Sequence, residues 1–422
     1  MGYYYFALLL PRVHELRTAQ QLGGGFAYGA DMYPLWLSGR ELLLKRTDPY
    51  TPETTRKIQI GLYGRALDAH HPGDPPENYR TFSYPLYADV FALPLLPFDF
   101  RIVQILLTAV LPVLAGAIVI AMMMAVDLGW SPRALAVAVL LCLCSYPVLE
   151  ALYAQQPALL VGASLSGLAL ALARKRLWLA GVLLAVATVK PKMVLIIALW
   201  LLLWSVSSWK TRKSLLIGFA VTVGLLLGIS EWILPGWWRE WLQVLLGYRQ
   251  YTIPALSVLL AGKKLGIVIE VMLLGIAAFV GWRARQESLA GRGFWLSASV
   301  MLTITLLVLP TGDAVYDQLA LLLPVLVLFS QRAKILNGSR PVRLLAILAM
   351  AIFGWQFAAG SMVSAASLLR PGWSHSTAAL LLPLRMASSF PPVILVLLLW
   401  LVLSRFEKKD LVVPPGLEIA KP

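Results

Sequence analysis

The sequence predicts an all-α, polytopic membrane protein, and three observations predict it. Of 422 residues, 59% are hydrophobic and only 14% are charged, against about a quarter charged in an ordinary soluble domain. Apolar runs long enough to cross a hydrocarbon layer of roughly 30 Å recur from end to end, and the run from Ile102 to Val126 carries no charge at all. Many of the Lys and Arg residues gather in short segments between these runs, as cytoplasmic loops do under the positive-inside rule. That distribution also turns the net charge of +15 away from nucleic acid as a partner and toward membrane lipids.

Five basic clusters orient the chain: Arg174 to Arg176, Lys210 to Lys213, Arg283 to Arg292, Arg332 to Arg343 and Arg405 to Lys409. Placed together in the cytoplasm, they leave apolar runs at about 101–126, 132–146, 157–173, 177–189, 193–208, 214–234, 265–282, 294–309, 318–330, 343–363 and 379–403. The run Tyr3 to Leu10 is too short to span. An upstream extension is expected to complete it as a first helix running outward, or else it dips into the surface; it lacks the basic start and cleavage site of a signal peptide. About 11–12 transmembrane helices are therefore expected, in a multi-pass protein of the cell membrane.

Between the first and second runs lies a long extracytoplasmic first loop, residues 12–100, too long for a connector and expected to fold into short interfacial helices. Its last part, Tyr84 to Pro97, is apolar but broken by Pro85, Pro94 and Pro97, and reads as an interfacial or re-entrant piece. The other outer segments are 147–156, roughly 231–264, 310–317 and 364–378. The second holds Trp232, Trp237, Trp238, Trp241 and Tyr248, an aromatic stretch expected along the membrane interface. Residues 1–330 are read as the core with its outer loop, and 331–422 as C-terminal helices and a short cytoplasmic tail.

The sequence carries none of the usual soluble-enzyme motifs: no GxxxxGK[ST] loop, no HExxH, no paired CxxC. No cofactor and no metal-ligand set is indicated. Cys142 and Cys144 stand one residue apart in an apolar run and read as small buried side chains. Gly23 to Gly25 reads as a hinge rather than a phosphate cradle. What the threading does gather on the outer face is polar: Asp31, Arg40, Asp48, Tyr84, Glu150, Gln155, Gln156, the Lys190-Pro191-Lys192 turn, and Asp313 to Gln318. Two lysines in a short outer turn go against the positive-inside bias. An acid among aromatics facing such a turn can act as a base beside an anion site. Pattern alone allows a plainer role, with Asp31 capping a helix and Lys190 and Lys192 binding lipid headgroups.

The run Asp31-Met32-Tyr33-Pro34-Leu35-Trp36, followed by Ser38-Gly39-Arg40, Asp48-Pro49-Tyr50 and Phe82-Ser83-Tyr84-Pro85, resembles the opening of glycosyltransferase family 87. Gln155-Gln156 resembles the family's Gly-Gln element, with Gln in place of Gly. Leu179-Ala180-Gly181 through Lys190-Pro191 resembles its Ala-Gly…Lys-Pro element, and Tyr316-Asp317-Gln318 to Leu323-Pro324 its polar-then-Leu-Leu-Pro element. The resemblance implies a GT-C-like fold and a hexosyltransferase, mannosyltransferase-like, that takes sugar from a polyprenyl-phosphate donor to a lipid or glycan acceptor outside the cytoplasm. It implies Asp31 as catalytic base. The chemistry then calls for positive charge at the departing phosphate, with Lys190, Lys192 and Arg40 as candidates and Arg80 as an alternate. Tyr33, Tyr84, Gln155, Gln156 and Asp317 would position donor or acceptor. His70 and His71 are weighed as further contacts against a solvated loop, and Asp317, Glu150 and Glu270 as other acids. The rival readings are a transporter or flippase of lipid-linked sugars, and a membrane protein without catalysis.

Overall fold

The computed structural model describes residues 1–129, 131–248, 254–310, 315–370 and 377–410. Every regular element among them is helical, and no strand occurs. The expected class, an all-α polytopic membrane protein, is what the chain adopts. A π-helical stretch Tyr4–Leu9 runs directly into α1 (Leu10–Ala19), so the N-terminal helix extends seven or eight residues past the point where the sequence suggested a loop. Tyr4 and Tyr5 are wholly buried, while residues 11–19 are largely exposed and helical because Glu, Leu, Arg and Ala favour it.

The first loop follows, and it does contain short helices: α2 (Met32–Lys45), α3 (Pro52–Tyr63) and α4 (Ala88–Ala92). Helix α3 is delimited in the ordinary way. The Thr51 hydroxyl accepts from the Thr54 amide, Pro52 occupies the first turn, and Gly64 at φ +80° ends it. These helices enclose a core of their own, with Ile58, Leu62 and Phe82 under 2% exposed. At its centre the Phe26, Tyr33, Trp36 and Phe100 rings pack with centroids 4.8 to 5.6 Å apart.

Then come α5 (Phe100–Ala125), α6 (Pro132–Leu143), α7 (Tyr146–Tyr153), α8 (Ala158–Ala173), α9 (Leu177–Ala187), α10 (Pro191–Val206), α11 (Trp209–Ile233), α12 (Trp237–Tyr248), α13 (Leu256–Ala261) and α14 (Lys263–Ala284). The chain continues with α15 (Arg292–Val308), a 3-10 turn Val315–Leu321 leading into α16 (Leu322–Ser330), α17 (Arg332–Leu336), α18 (Arg340–Leu369) and α19 (Thr377–Asp410). Five of these are long and apolar enough to cross a membrane: α5, α11, α14, α18 and α19. Helices α6 and α7 together are long and apolar enough but are bent by 61°, as in a broken span or a re-entrant loop, and α8, α9, α10, α15 and Val315–Ser330 are shorter apolar helices. Large apolar side chains face outward on the long spans. Ile105, Val113, Val268 and Val271 are each 63% exposed or more, a surface suited to hydrocarbon rather than water.

Glycines set the closest crossing. A Cβ on Gly181 would lie 2.1 Å from the Leu215 carbonyl oxygen, and one on Gly218 would lie 2.4 Å from that of Trp178. Helices α9 and α11 thus meet backbone to backbone, as small residues allow between membrane helices. At the opposite end of α10 from Lys190, the Arg212 guanidinium donates to the carbonyls of Trp204, Arg285, Gln286 and Glu287. Two of the five basic clusters therefore lie side by side at one end of the bundle, while the first loop covers the other.

Candidate active site

Asp31 is the residue preceding α2, at its N-cap position, but its side chain does not cap that helix. Its place is fixed by the end of α7: the Asp31 amide donates to the Ala154 carbonyl at 3.1 Å, and the Gly29 amide donates to that of Tyr153 at 2.9 Å. Gly29 sits at φ +72°, a left-handed backbone that favours glycine, and a Cβ there would come within 2.8 Å of Gln155 Oε1. The carboxylate, 12% exposed, is held from both sides. Arg80 Nη1 donates to Oδ1 at 2.6 Å and Gln156 Nε2 donates to Oδ2 at 2.6 Å. Arg80 reaches it from a left-handed backbone position, φ +66°, uncommon for a non-glycine residue. Gln156 in turn accepts from the Tyr84 hydroxyl at 3.1 Å, and the Tyr84 carbonyl accepts from the Tyr50 hydroxyl.

A second group lies at the α9–α10 turn. Val189 ends the α9 side, Lys190 is the residue preceding α10, and Pro191 opens that helix. Lys190 Nζ donates to Asp317 Oδ1, and Lys192 Nζ lies 3.3 Å from Asp317 Oδ2. Lys190 and Asp317 are 5% and 1% exposed. The Lys190 ammonium also sits 4.3 Å from the centroid of the Tyr316 ring. Tyr316 connects the two groups: the charges of Asp31, Arg80 and Asp317 all bear on its hydroxyl, and Asp31 acts on Lys190 as well. Folding thus brings Asp31, Tyr84, Gln156, Lys190, Lys192 and Asp317 into one polar cluster, together with Arg80.

Three other candidates are placed elsewhere. The Tyr33 ring packs inside the first-loop core with its hydroxyl against Gly61, where a Cβ would be 2.1 Å away. Arg40 donates to the Phe98 carbonyl at 3.1 Å and stacks 4.9 Å from the Trp36 centroid. Gln155, at φ +49°, turns away from its neighbour and donates to the Gln104 carbonyl at 2.8 Å. His71 faces Asp74 within a loop closed by the two-pronged Arg65–Asp74 pair, and the His70 amide donates to Asp68. Glu150 receives the Tyr5 hydroxyl at 2.5 Å, and Glu270 that of Ser257 at 2.8 Å. Asp313 lies outside the described residues.

Two carboxyls of the first loop escaped sequence reasoning. Glu41 is 2% exposed and receives Lys45 and Lys57 at 2.6 and 2.8 Å; its spacing of four from Lys45 was the available signal. Asp89, 4% exposed, has neither oxygen hydrogen-bonded, and burial pushes its carboxyl well above the ordinary range. A lone acid in an apolar segment gives no hint of that.

The model of glycosyltransferase family 87 matches residues 82–310, more than half of the sequence. The chain belongs to glycosyltransferase family 87. No curated protein matches it. Membership makes the chain a membrane glycosyltransferase, with sugar donor and acceptor substrates. The matched span opens at Phe82 and takes in Tyr84, Gln156, Lys190 and Lys192, while Asp31 and Asp317 flank it in sequence. The hydrogen bond from Gln156 joins Asp31 to that span, and the ion pairs with Lys190 and Lys192 join Asp317 to it.

Proposed function

We propose that this family 87 enzyme transfers a hexose, mannose first among candidates, from a polyprenyl-phosphate sugar to a lipid or glycan acceptor on the extracytoplasmic face. A sugar hydroxyl is a poor nucleophile until its proton leaves as the new bond forms, and a positioned carboxylate supplies roughly 10²–10⁴-fold by taking it. Asp31 is the base in this reading. Arg80 and Gln156, one on each oxygen, fix its rotamer before substrate arrives.

The acceptor oxygen attacks the anomeric carbon, its proton passes to Asp31, and the bond from that carbon to the phosphate oxygen breaks with its electron pair going to the phosphate. A single displacement inverts the configuration. The leaving phosphate needs positive charge rather than an acid, and the role falls to Lys190 and Lys192, which converge on Asp317. The observation that carries the proposal is this pairing of one clamped carboxylate with a two-lysine centre, Lys190 buried and Lys192 partly exposed, in a single cluster. It outweighs Arg40, whose guanidinium is engaged at Phe98 and Trp36.

The test is transfer by purified protein from a panel of polyprenyl-phosphate sugars. Asp31→Asn should lower turnover by at least about 10²-fold with the unfolding midpoint kept, and Lys190→Ala should raise the donor KM more than the acceptor KM. Retained activity in Asp31→Asn would remove it from the base role, and a wild-type enzyme that uses only nucleotide sugars would remove the donor class.

A further inference from the structure

Tyr316 lies on the Lys190–Asp317 side of the cluster, near enough for the Asp31 and Arg80 charges to act on it, and the reading above gives it no part. It is the second residue of the 3-10 turn Val315–Leu321, which packs on α7, the helix whose end anchors Asp31. One face of its ring carries the Lys190 ammonium. The residue also packs, half-buried, against the apolar core. Among the described residues no hydrogen bond reaches its hydroxyl, although it is half-buried and the charges of Asp31, Arg80 and Asp317 surround it. The hydroxyl is not one of the buried atoms left without a partner, so it is an accessible donor on the wall of the cluster, open to a ligand oxygen.

The neighbours decide which ligand atom. Each Asp31 oxygen accepts one hydrogen bond, from Arg80 or Gln156, and keeps a lone pair for the acceptor's proton, while the Tyr84 hydroxyl donates to Gln156. A phenol at neutral pH is a donor. It lies beside an ammonium that has spent one proton on Asp317 and has two left. A donor next to a cation suits an anionic oxygen with several lone pairs, that is, a phosphate.

We propose that the Tyr316 hydroxyl donates a hydrogen bond to the departing phosphate of the donor, alongside the Lys190 ammonium. The inference rests on the polyprenyl-phosphate reading above. It makes Tyr316 a substrate-contacting residue whose bond strengthens as the phosphate gains charge, so its loss falls on turnover as well as on phosphate affinity.

The experiment measures inhibition of transfer by a short-chain prenyl phosphate, with donor and acceptor kinetics, in wild type, Tyr316→Phe and Lys190→Ala. Tyr316→Phe keeps the ring under Lys190 and should keep the unfolding midpoint. A lost hydrogen bond to a charged oxygen predicts inhibition weakened roughly tenfold or more and turnover lowered by about 10- to 100-fold, with the acceptor KM unchanged. Inhibition equal to wild type, or a rise confined to the acceptor KM, overturns the assignment. If wild type is not inhibited at all, the donor reading falls with it; if Lys190→Ala relieves inhibition and Tyr316→Phe does not, only Tyr316 falls. Should Tyr316→Phe misfold, 3-fluorotyrosine at this site, a stronger donor of the same shape, decides: tighter inhibition supports the contact and no change overturns it.

Discussion

The Tyr87 hydroxyl donates to the Thr188 carbonyl at 3.0 Å, with the Thr188 hydroxyl 3.2 Å away. This joins the end of the first loop to a residue two places before Lys190. The same loop segment carries Tyr84, whose hydroxyl holds Gln156 against Asp31. The loop is thereby fastened to both halves of the polar cluster through residues three positions apart.

Tyr87→Phe should therefore loosen the Lys190 turn without touching its charges. The Thr188 carbonyl would lose a buried donor, a cost of about 1–2 kcal/mol. The expected result is a slightly lower unfolding midpoint and a several-fold rise in donor KM, with acceptor KM held. Equal effects on both substrates would show that the contact is structural only.

Glu41 gives a pH-dependent test of the loop. Burial opposes its charge, but hydrogen bonds from Lys45 and Lys57 outweigh that and hold the carboxyl below the ordinary range. A depressed folded value means that its stabilisation is complete above the unfolded value, about 4.3, and is lost as pH falls through the lower folded value. Glu41→Gln should cost about 1–2 kcal/mol at pH 7, and the gap to wild type in unfolding midpoint should close below about pH 4. A gap that persists there would assign the loss to packing instead.

The spans were legible because length and apolarity are local properties. Ile102 to Val126 announces α5 by itself, and the basic segment at Lys210 to Lys213 marks the start of α11. Asp31, Gln156, Lys190 and Asp317 were legible through motif order, and folding gathers them. Arg40 and Tyr33 sit within the same run as Asp31, yet a helix turns successive side chains by about 100°. That rotation sends Arg40 to the Phe98 carbonyl and Tyr33 into the aromatic core. Gln155 likewise diverges from Gln156 because its backbone is left-handed, and adjacency in sequence says nothing of this. Tyr316 matters only through what surrounds it, which no window of sequence displays.

Asp89 should behave in the opposite sense to Glu41. Burial without a hydrogen-bond partner keeps its carboxyl protonated when folded, while the unfolded chain ionises near the ordinary value of about 3.9. Rising pH from there favours the unfolded state until the raised folded value is passed. Asp89→Asn removes that penalty, so its unfolding midpoint should exceed that of wild type by a few degrees at pH 7. The advantage should vanish near pH 4. A variant less stable than wild type by the same amount at every pH would mean that the carboxyl makes contacts worth more than its ionisation.

At the far end of α10, some 16 residues and about 24 Å from Lys190, Arg212 holds three helices together. Its Nη1 donates to the carbonyls of Trp204 and Arg285 at 2.9 and 2.8 Å, and its Nη2 to those of Gln286 and Glu287 at 3.2 and 2.9 Å. The guanidinium also lies 3.9 Å from the Trp204 ring centroid, and the Trp204 indole donates to Glu287. Carbonyls at the ends of α10 and α14 are otherwise left without amide partners, so this one fork answers four of them. Arg212→Ala should lower stability by about 3 kcal/mol, the sum of several modest hydrogen bonds and a cation–π contact. Arg212→Lys should recover less than half, because an ammonium on a flexible stem cannot bridge carbonyls on two helices at once. Thermal unfolding in detergent reads both variants, and turnover per folded molecule should match wild type. Full rescue by lysine would reduce the fork to its charge alone, and a turnover defect in well-folded Arg212→Ala would couple this end of the bundle to the site around Asp31.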